Sequence, residues 1–176
     1  AHLTVEHVET AAELQEAVLR ESTQTDVLIM AAAVADFRPA DYNLAKIKKS
    51  DDGQNPVITL ERNPDILADT VRRRSESGNG PAVIVGFAAE TGDAAHAPIG
   101  LAEQKLKRKG CDLLVLNQVG ENLVFGQDAT EIYILASDGA QQKLGENEPV
   151  HVVGNKAEAA AAVIARTARL LSEPEA

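Results

Sequence analysis

The chain has 176 residues, of which 44% are hydrophobic and 25% are charged, and its formal net charge is −10 at pH 7. This length suits one domain with a sizeable core, and the negative charge argues against a nucleic-acid-binding protein, which would present a basic face. One cysteine excludes an internal disulfide, and the four histidines are not spaced as zinc ligands. Neither a long apolar run nor a leader is visible. We therefore expect a cytoplasmic protein with no nucleic-acid or membrane partner.

The first part of the chain predicts a strand, a helix and a second strand. Residues 3–8 alternate apolar and polar side chains, as a short strand does. Thr10 and Glu13 form a capping box, which predicts a helix that runs to about Leu19. The continuous apolar run at 26–32 is typical of a strand that is covered on both faces.

The middle of the chain continues this alternation. Residues 57–61 predict a strand, and Pro64 predicts the first position of a helix, because its fixed backbone angle suits the first turn. Residues 81–87 predict a buried strand. A helix at 98–109 should follow it and end at Gly110, since glycine readily adopts the conformation that closes a helix.

The last part of the chain adds strands and one long helix. Residues 111–117 predict a third buried strand. Asp138 and Gly139 lie between two segments that read as strands, which predicts a hairpin over 131–144. A second capping box, which Asn155 begins, predicts a helix at 156–171.

Together these elements predict an α/β fold in one ligand-binding domain, residues 1–176. We expect a three-layer, doubly wound, mainly parallel, Rossmann-like sheet with a C-terminal β-hairpin extension. Ligands of such sheets bind outside the carboxyl ends of the strands. Residues 33–38, 87–91 and 117–120 each follow a predicted buried strand, so we expect them to converge at one edge.

Positive charge is clustered despite the acidic composition. Seven of the 17 Lys and Arg residues lie at 46–49 and 105–109, which indicates either an anionic small-molecule ligand or two solvated faces. The chain has no GxxxxGK[ST], GxGxxG or GxSxG motif, so a P-loop enzyme, a typical dinucleotide-binding protein and an α/β-hydrolase are not supported. Phe37, Phe87 and Phe125 follow apolar runs and either pack against a nucleoside or fill the ends of the core.

Six stretches of the sequence resemble the phosphopantothenate–cysteine ligases of coenzyme A biosynthesis. In chain order, from about residue 26 to 135, they are AAAVADFRPA, KIKK, RNPDIL, VGFAAET, KLKRKGCDLLVLN and FG. The resemblance implies a ligase that activates 4′-phosphopantothenate with CTP to an acyl-cytidylate, releasing pyrophosphate. Cysteine then attacks that intermediate, which gives 4′-phosphopantothenoylcysteine and CMP. It also implies Mg²⁺, a homodimer and a link to a flavin-dependent decarboxylase, with no flavin on this chain.

The resemblance implies roles for individual residues. Lys46 would be catalytic and would also contact the nucleotide triphosphate, Ala33 would lie against the substrate, and Asp36 would bind the metal. The residues implied to bind the nucleotide are Ala32, Asp36, Lys46, Pro64, Asp65, Ile66, Leu67, Phe87, Lys105 and Lys109. Lys105 and Lys109 are four residues apart, so they share a helix face and could clamp one anion, whereas Lys107 and Arg108 are expected to face elsewhere.

The chain departs from the family pattern at its beginning. Family members carry a further strand and a glycine- and serine-rich segment before the region that matches, and we expect the chain to be a portion that lacks this segment. The alternative function is therefore a nucleotide-binding half-module that needs a separate N-terminal segment or partner for turnover. A nicotinamide or flavin protein on the same sheet is a third alternative, which the missing glycine fingerprint disfavours. For Asp36 the alternative to metal binding is a salt bridge to Arg38. The sequence assigns no role to Asn117.

Overall fold

The computed structural model describes residues 2–41, 55–90, 97–118 and 129–172. Within these ranges no helix is both long and apolar enough to cross a membrane. A five-stranded sheet has the strand order β1-β4-β5-β6-β7, and β2 and β3 form a separate two-stranded sheet. The strands are β1 Val27–Met30, β2 Phe37–Pro39, β3 Leu60–Arg62, β4 Val83–Glu90, β5 Leu113–Gln118, β6 Ala129–Ala136 and β7 Val150–Asn155. The helices are α1 Ala11–Glu21, α2 Ile66–Ser77, α3 Pro98–Lys109, α4 Asp138–Leu144 and α5 Lys156–Leu171.

The sheet is mixed but mostly parallel. Strands β1, β4 and β5 pair in parallel, and β6 runs antiparallel between β5 and β7. Within this five-stranded sheet, every strand except β6 therefore has the same direction. Apolar side chains of β4 alternate between two layers: Val83 and Val85 pack with α4 and α5, whereas Ile84 and Ala88 pack with α2 and α3. The α/β prediction with a mainly parallel, three-layer sheet is confirmed.

The predicted hairpin over 131–144 is wrong. The Ser137 hydroxyl accepts a hydrogen bond from the Ala140 N–H, and the chain forms α4 where the hairpin turn was expected. A serine in this position caps a helix, and α4 then buries Ala140 and Leu144 in the core. The strand that follows β6 in the chain and pairs with it is therefore β7, which was not predicted from the sequence.

Three other expectations differ from the structure. Residues 3–8 are exposed and form no strand. The strand at 26–32 exists as β1, but it lies at the edge of the sheet and is only partly buried, so it is not covered on both faces. The predicted helix start at Pro64 is wrong, because Asp65 caps α2 by accepting a hydrogen bond from the Ala68 N–H.

The two capping boxes and both ends of α3 were predicted correctly. Thr10 and Asn155 both form reciprocal capping boxes with the glutamate three residues later. The helix α3 begins at Pro98 and ends before Gly110, whose φ of 71° is the left-handed conformation that glycine favours. These motifs depend on residues within a few positions of each other, and the fold does not override them.

An ion pair joins the second half of α2 to the sheet. Arg74 donates two hydrogen bonds to the carboxylate of Asp112, at 2.6 and 3.3 Å, and a third to the carbonyl of Pro81. Asp112 Oδ2 also accepts a hydrogen bond of 2.7 Å from the Ile84 N–H. The Asp112 carboxylate thus connects α2, β4 and the residue before β5 at one point.

The start of α2 lies directly on β4 because Gly86 has no side chain. A Cβ atom at Gly86 would lie 2.6 Å from Leu67 Cδ2, which is closer than real Cβ atoms come, and 3.2 Å from Leu114 Cδ1, which is a tight contact. Leu67 is buried, so its side chain cannot move into solvent without exposing apolar surface. Gly86 therefore sets the distance between the first turn of α2 and the sheet.

We expect Gly86→Ala to lower the free energy of unfolding by about 1–3 kcal/mol, because the added methyl group overpacks the space that Leu67 fills. Gly100→Ala is the matched control, since a Cβ at Gly100 in α3 meets no atom within 4 Å. Alanine is more favourable than glycine inside a helix by up to about 1 kcal/mol, so this variant should not be destabilised. Urea unfolding of both variants measures the difference. Equal stabilities for the two variants would contradict the overpacking argument.

Candidate functional site

A cavity of about 630 Å³ lies at the carboxyl ends of β1 and β4, between the N-terminus of α2 and the C-terminal half of α3. We call it the strand-end cavity. This is the edge at which parallel sheets bind ligands. Its lining residues are Met30, Ala32, Ala33, Val34, Ala35, Asp36, Phe37, Arg62, Asn63, Pro64, Asp65, Ile66, Leu67, Phe87, Ala88, Ala89, Lys105, Arg108, Lys109 and Leu114.

Small side chains line one wall of the strand-end cavity. Ala32, Ala33 and Ala35 follow β1, and Ala88 and Ala89 belong to the neighbouring β4. Because a methyl group leaves the backbone accessible, a ligand can approach the main chain of both segments. Ala33 was expected at this edge, Ala32 was named by the resemblance, and both line the cavity.

The N-terminus of α2 supplies backbone donors at the cavity. The Ala68 N–H donates to Asp65 Oδ1 at 3.2 Å, and the Asp69 N–H donates to the Asp65 carbonyl at 2.8 Å. Within the part of the chain that the structure describes, the N–H groups of Ile66 and Leu67 have no acceptor, as expected in the first turn of a helix. A helix N-terminus with accessible N–H groups attracts anions.

Helix α3 brings cations to the opposite wall. Lys105 Nζ lies 2.9 Å from Glu90 Oε1, and Lys109 Nζ lies 2.5 Å from Asp65 Oδ2. The two lysines share one helix face and both line the cavity, as the four-residue spacing predicted. Arg108 also lines the cavity, so the expectation that it faces elsewhere is wrong. That expectation is met by Lys107, which lines a separate hollow on the other side of α3.

The carboxyl group of Asp65 is more acidic than usual. Partial burial by itself raises its pKa, but the hydrogen bond from Lys109, the N–H of Ala68 and the nearby charges of Lys109 and Arg108 together outweigh burial. The net result is a pKa below the ordinary aspartate value. Asp65 is therefore a carboxylate at neutral pH, held between a helix N-terminus and an ammonium group.

Asn63 ties the loop after β1 to the segment before α2. Its N–H donates to the Asp36 carbonyl at 2.9 Å, and its side-chain amide donates to the Ala35 carbonyl at 2.8 Å. Arg38 donates to Asn63 Oδ1 at 3.0 Å and pairs with Glu61 at 2.8 Å, so the salt bridge from Arg38 to Asp36 is not formed. Sequence reasoning missed the role of Asn63, although a loop asparagine next to a proline is a recognised turn signal.

Phe87 lies on the α5 side of the sheet and is 38% exposed. It lines the strand-end cavity and also a second hollow of about 330 Å³, which Ile29, Val115, Ile164 and Asn117 line as well. Asn117 lies beside Ala89 at the carboxyl end of β5, so it reaches the expected edge of the sheet, but it lines this second hollow and not the strand-end cavity. The packing of Phe87 on a nucleoside stays a prediction.

Several predicted residues lie outside the described ranges. Lys46 and the rest of the KIKK motif fall there, as do Thr91, residues 119–120 and Phe125. Among the described residues, no three His, Cys, Asp or Glu side chains are grouped so that they could hold a metal ion by themselves. Asp36, the predicted metal ligand, lies in the strand-end cavity and is exposed.

Comparisons with known proteins agree on one family. Residues 1–170 match the model described as the DNA/pantothenate metabolism flavoprotein C-terminal domain. The chain is 51% identical over 146 residues to the coenzyme A biosynthesis bifunctional protein CoaBC of Mycobacterium tuberculosis, which covers 82% of this chain and 34% of that protein. The CoaBC of Bacillus subtilis is 38% identical over 138 residues, covering 78% and 31%. The chain thus spans about a third of the length of these relatives.

Solved structures share the fold. The C-terminal domain of CoaBC has a TM-score of 0.61 at 24% identity and covers 93% of this chain and 63% of its own. The DNA/pantothenate metabolism flavoprotein from Streptococcus pneumoniae has a TM-score of 0.66 at 16% identity and covers 94% and 72%. A Cab2 mutant in complex with phosphopantothenate-cysteine has a TM-score of 0.62 at 18% identity and covers 93% and 52%.

The acidic carboxyl group of Asp65 predicts a pH dependence of stability. Because its pKa is lowered in the folded state, Asp65 stabilises the protein above the ordinary aspartate value of 3.8, and this contribution is lost as the pH falls through the lowered value. We expect acidification from pH 5 to pH 2, a range that brackets the ordinary aspartate pKa of 3.8, to reduce the unfolding free energy of the wild type more than that of Asp65→Asn. Urea unfolding at several pH values measures this. Parallel pH profiles for the two proteins would contradict it.

Proposed function

We propose that this chain, which belongs to the family of the DNA/pantothenate metabolism flavoprotein C-terminal domain, is a phosphopantothenate–cysteine ligase that uses CTP. The observation that carries the proposal is the strand-end cavity, where Lys105 and Lys109 face the N-terminus of α2. Those groups are typical of a site for a polyphosphate. The 51% identity to CoaBC and the phosphopantothenate-cysteine bound to the related Cab2 structure support the choice of substrate.

The reaction that we propose has two steps. The carboxylate of 4′-phosphopantothenate attacks the α-phosphorus of CTP, and the bond to the β-phosphate breaks, which gives an acyl-cytidylate and pyrophosphate. The amine of cysteine then attacks the acyl carbon and CMP leaves, so that an amide forms and one proton is released. Since the substrate carboxylate is the nucleophile, the protein needs to supply binding, orientation and positive charge rather than a nucleophile of its own.

The N–H groups of Ile66 and Leu67, together with Lys105 and Lys109, would hold the phosphates. Lys46 would stabilise the charge that develops in the first step, a role that the resemblance implies. The accessible backbone at Ala32 would hold the nucleoside, Pro64 and Asp65 would contribute through their main chain, and the exposed edge of Phe87 would pack against cytosine. Ala33 would lie against the phosphopantothenate.

Asp36 is the residue that would hold Mg²⁺. A nucleotide-bound Mg²⁺ is usually held by only one or two protein carboxylates together with phosphate oxygens and waters, so a single exposed carboxylate in the cavity fits such a metal. When bound, Mg²⁺ would screen the negative charge of the triphosphate. The part assigned to Asp36 itself is to supply one oxygen ligand at the rim of the cavity.

The partners that we propose follow from the relatives. Their names describe a bifunctional protein, and this chain spans about a third of their length. We propose that the chain works in the cytoplasm as a homodimer and that a flavin-dependent decarboxylase accompanies it elsewhere in the full protein, with no flavin bound by this chain.

A second candidate is a nucleotide-binding half-module that requires another segment or a partner for turnover. It is favoured by the edge strand β1, where Ile29 is 37% exposed although the strand belongs to the main sheet. An apolar side chain on an edge strand is commonly covered by a neighbouring element. The two candidates share the nucleotide site and differ only in turnover.

Calorimetric titration with CTP and with ATP, each with Mg²⁺, tests the nucleotide site. We expect CTP to bind more tightly than ATP, and we expect Lys46→Ala to abolish CTP binding. Lys105→Ala or Lys109→Ala should weaken it about tenfold, because each removes a charge-assisted hydrogen bond. Lys107→Ala, on the same helix but outside the cavity, is the matched control and should bind CTP as the wild type does. A folded chain that binds neither nucleotide contradicts the site, and equal losses in all the lysine variants would indicate non-specific attraction.

Pyrophosphate release without cysteine tests the two-step reaction. The chain with CTP, Mg²⁺ and 4′-phosphopantothenate should release close to one equivalent of pyrophosphate per site, because the acyl-cytidylate waits for its acceptor. Addition of cysteine should then produce CMP and sustained turnover. CTP binding with no pyrophosphate release would instead support the half-module.

A further inference from the structure

The carboxylate of Asp65 lies between the first turn of α2 and Lys109, the two parts of the cavity that are proposed to hold the nucleotide phosphates. Its Oδ1 accepts the hydrogen bond of the Ala68 N–H at the start of α2, and its Oδ2 accepts that of Lys109 Nζ at the end of α3. A helix N-terminal N–H and an ammonium group are the donors that a phosphate oxygen prefers. In the structure, a side-chain carboxylate therefore uses both donors.

We propose that the side-chain carboxylate of Asp65 occupies this phosphate position and competes with the phosphates of the nucleotide for the same two donors. The inference rests on the proposed function, because it concerns the same cavity. It gives the side chain of Asp65 a role that differs from the main-chain contact expected at this turn.

The exposure of the two partners indicates which of them moves. The side chain of Lys109 is 19% exposed, whereas that of Asp65 is 47% exposed. Lys109 is held by its surroundings, and Asp65 has solvent on one side into which its carboxylate can turn. A phosphate that enters would therefore displace the carboxylate and meet Lys109 in its present position.

The exchange conserves the hydrogen bonds of the site. When the Asp65 carboxylate turns away, the Ala68 N–H and Lys109 Nζ both lose an acceptor, and a phosphate provides two oxygens in return. A buried or partly buried donor without an acceptor is costly, so the carboxylate would return when the phosphate leaves. Asp65 would thus oppose tight binding of the anion and favour its release.

Asp65→Asn separates the charge of this side chain from its capping role. Asparagine caps a helix about as well as aspartate, so the hydrogen bond from Ala68 should remain while the negative charge next to Lys109 disappears. Asp69→Asn is the matched control. It removes the same charge from the first turn of the same helix, but Asp69 pairs with Arg72 and does not line the cavity.

The experiment is a calorimetric titration of the full 176-residue chain with inorganic tripolyphosphate, without added divalent cations and at fixed ionic strength, followed by CTP with Mg²⁺. We expect Asp65→Asn to bind tripolyphosphate about three- to tenfold more tightly than the wild type, which corresponds to the loss of one partly exposed ion pair plus repulsion between anions. Asp69→Asn should stay within about twofold of the wild type. Thermal unfolding verifies that the variants fold, and Asp65→Ser, another neutral cap, replaces Asp65→Asn if that variant does not.

Tripolyphosphate binding by the variants decides the inference. If the wild type binds but Asp65→Asn binds equally or more weakly, the competition is overturned while the nucleotide site stands. If Asp65→Asn and Asp69→Asn both tighten binding equally, the effect is that of overall charge and the competition is again overturned. If the wild type binds neither tripolyphosphate nor CTP, the proposed function and this inference fail together.

Discussion

The geometry of the strand-end cavity depends on the contact between Leu67 and Gly86. Leu67 is in the first turn of α2, and it packs on β4 where Gly86 leaves no room for even one methyl group. The distance of this turn from the sheet decides whether its N–H groups face the cavity. Two turns further along α2, Arg74 binds Asp112, which in turn accepts the Ile84 N–H. The helix is therefore fixed at both ends against the same strands, and its N-terminus cannot shift independently of the cavity wall.

Sequence reasoning succeeded where short-range chemistry determines the structure and failed where two local signals competed. The capping boxes of α1 and α5 involve residues three positions apart, so no distant contact was needed to predict them. Asp138 and Gly139 satisfy the rules for a turn as well as those for a helix that Ser137 caps. The burial of Ala140 and Leu144 favours the helix, and only the three-dimensional core contains that information. The partial exposure of β1 escaped prediction for a similar reason, because an apolar run does not reveal the position of its strand in the sheet.

The candidate site was predictable in its components but not in its connections. The rule that ligands bind at the carboxyl ends of parallel strands identified residues 33–38, and the family resemblance added Ala32. Helical periodicity brought Lys105 and Lys109 to one face. The partners of these lysines are 15 and 44 residues away along the chain, at Glu90 and Asp65. No local pattern encodes such pairs. Asn63 is similar, since its side chain matters only because the fold brings it to Ala35.

The acidic composition and the proposed polyanionic ligand are compatible because helix ends arrange the local charge. A chain of net charge −10 repels a polyphosphate at long range, so attraction has to come from groups within a few ångströms. The positive end of the α2 dipole faces the cavity, and the negative end of the α3 dipole stabilises the cations Lys105, Arg108 and Lys109 in its last turns. Asp65 and Lys109 join these two helix ends directly. The ion pair therefore neutralises the field where the two helix ends meet. A more highly charged anion that replaces the carboxylate would gain from the positive end of the α2 dipole and from the Lys109 charge, which the α3 dipole stabilises.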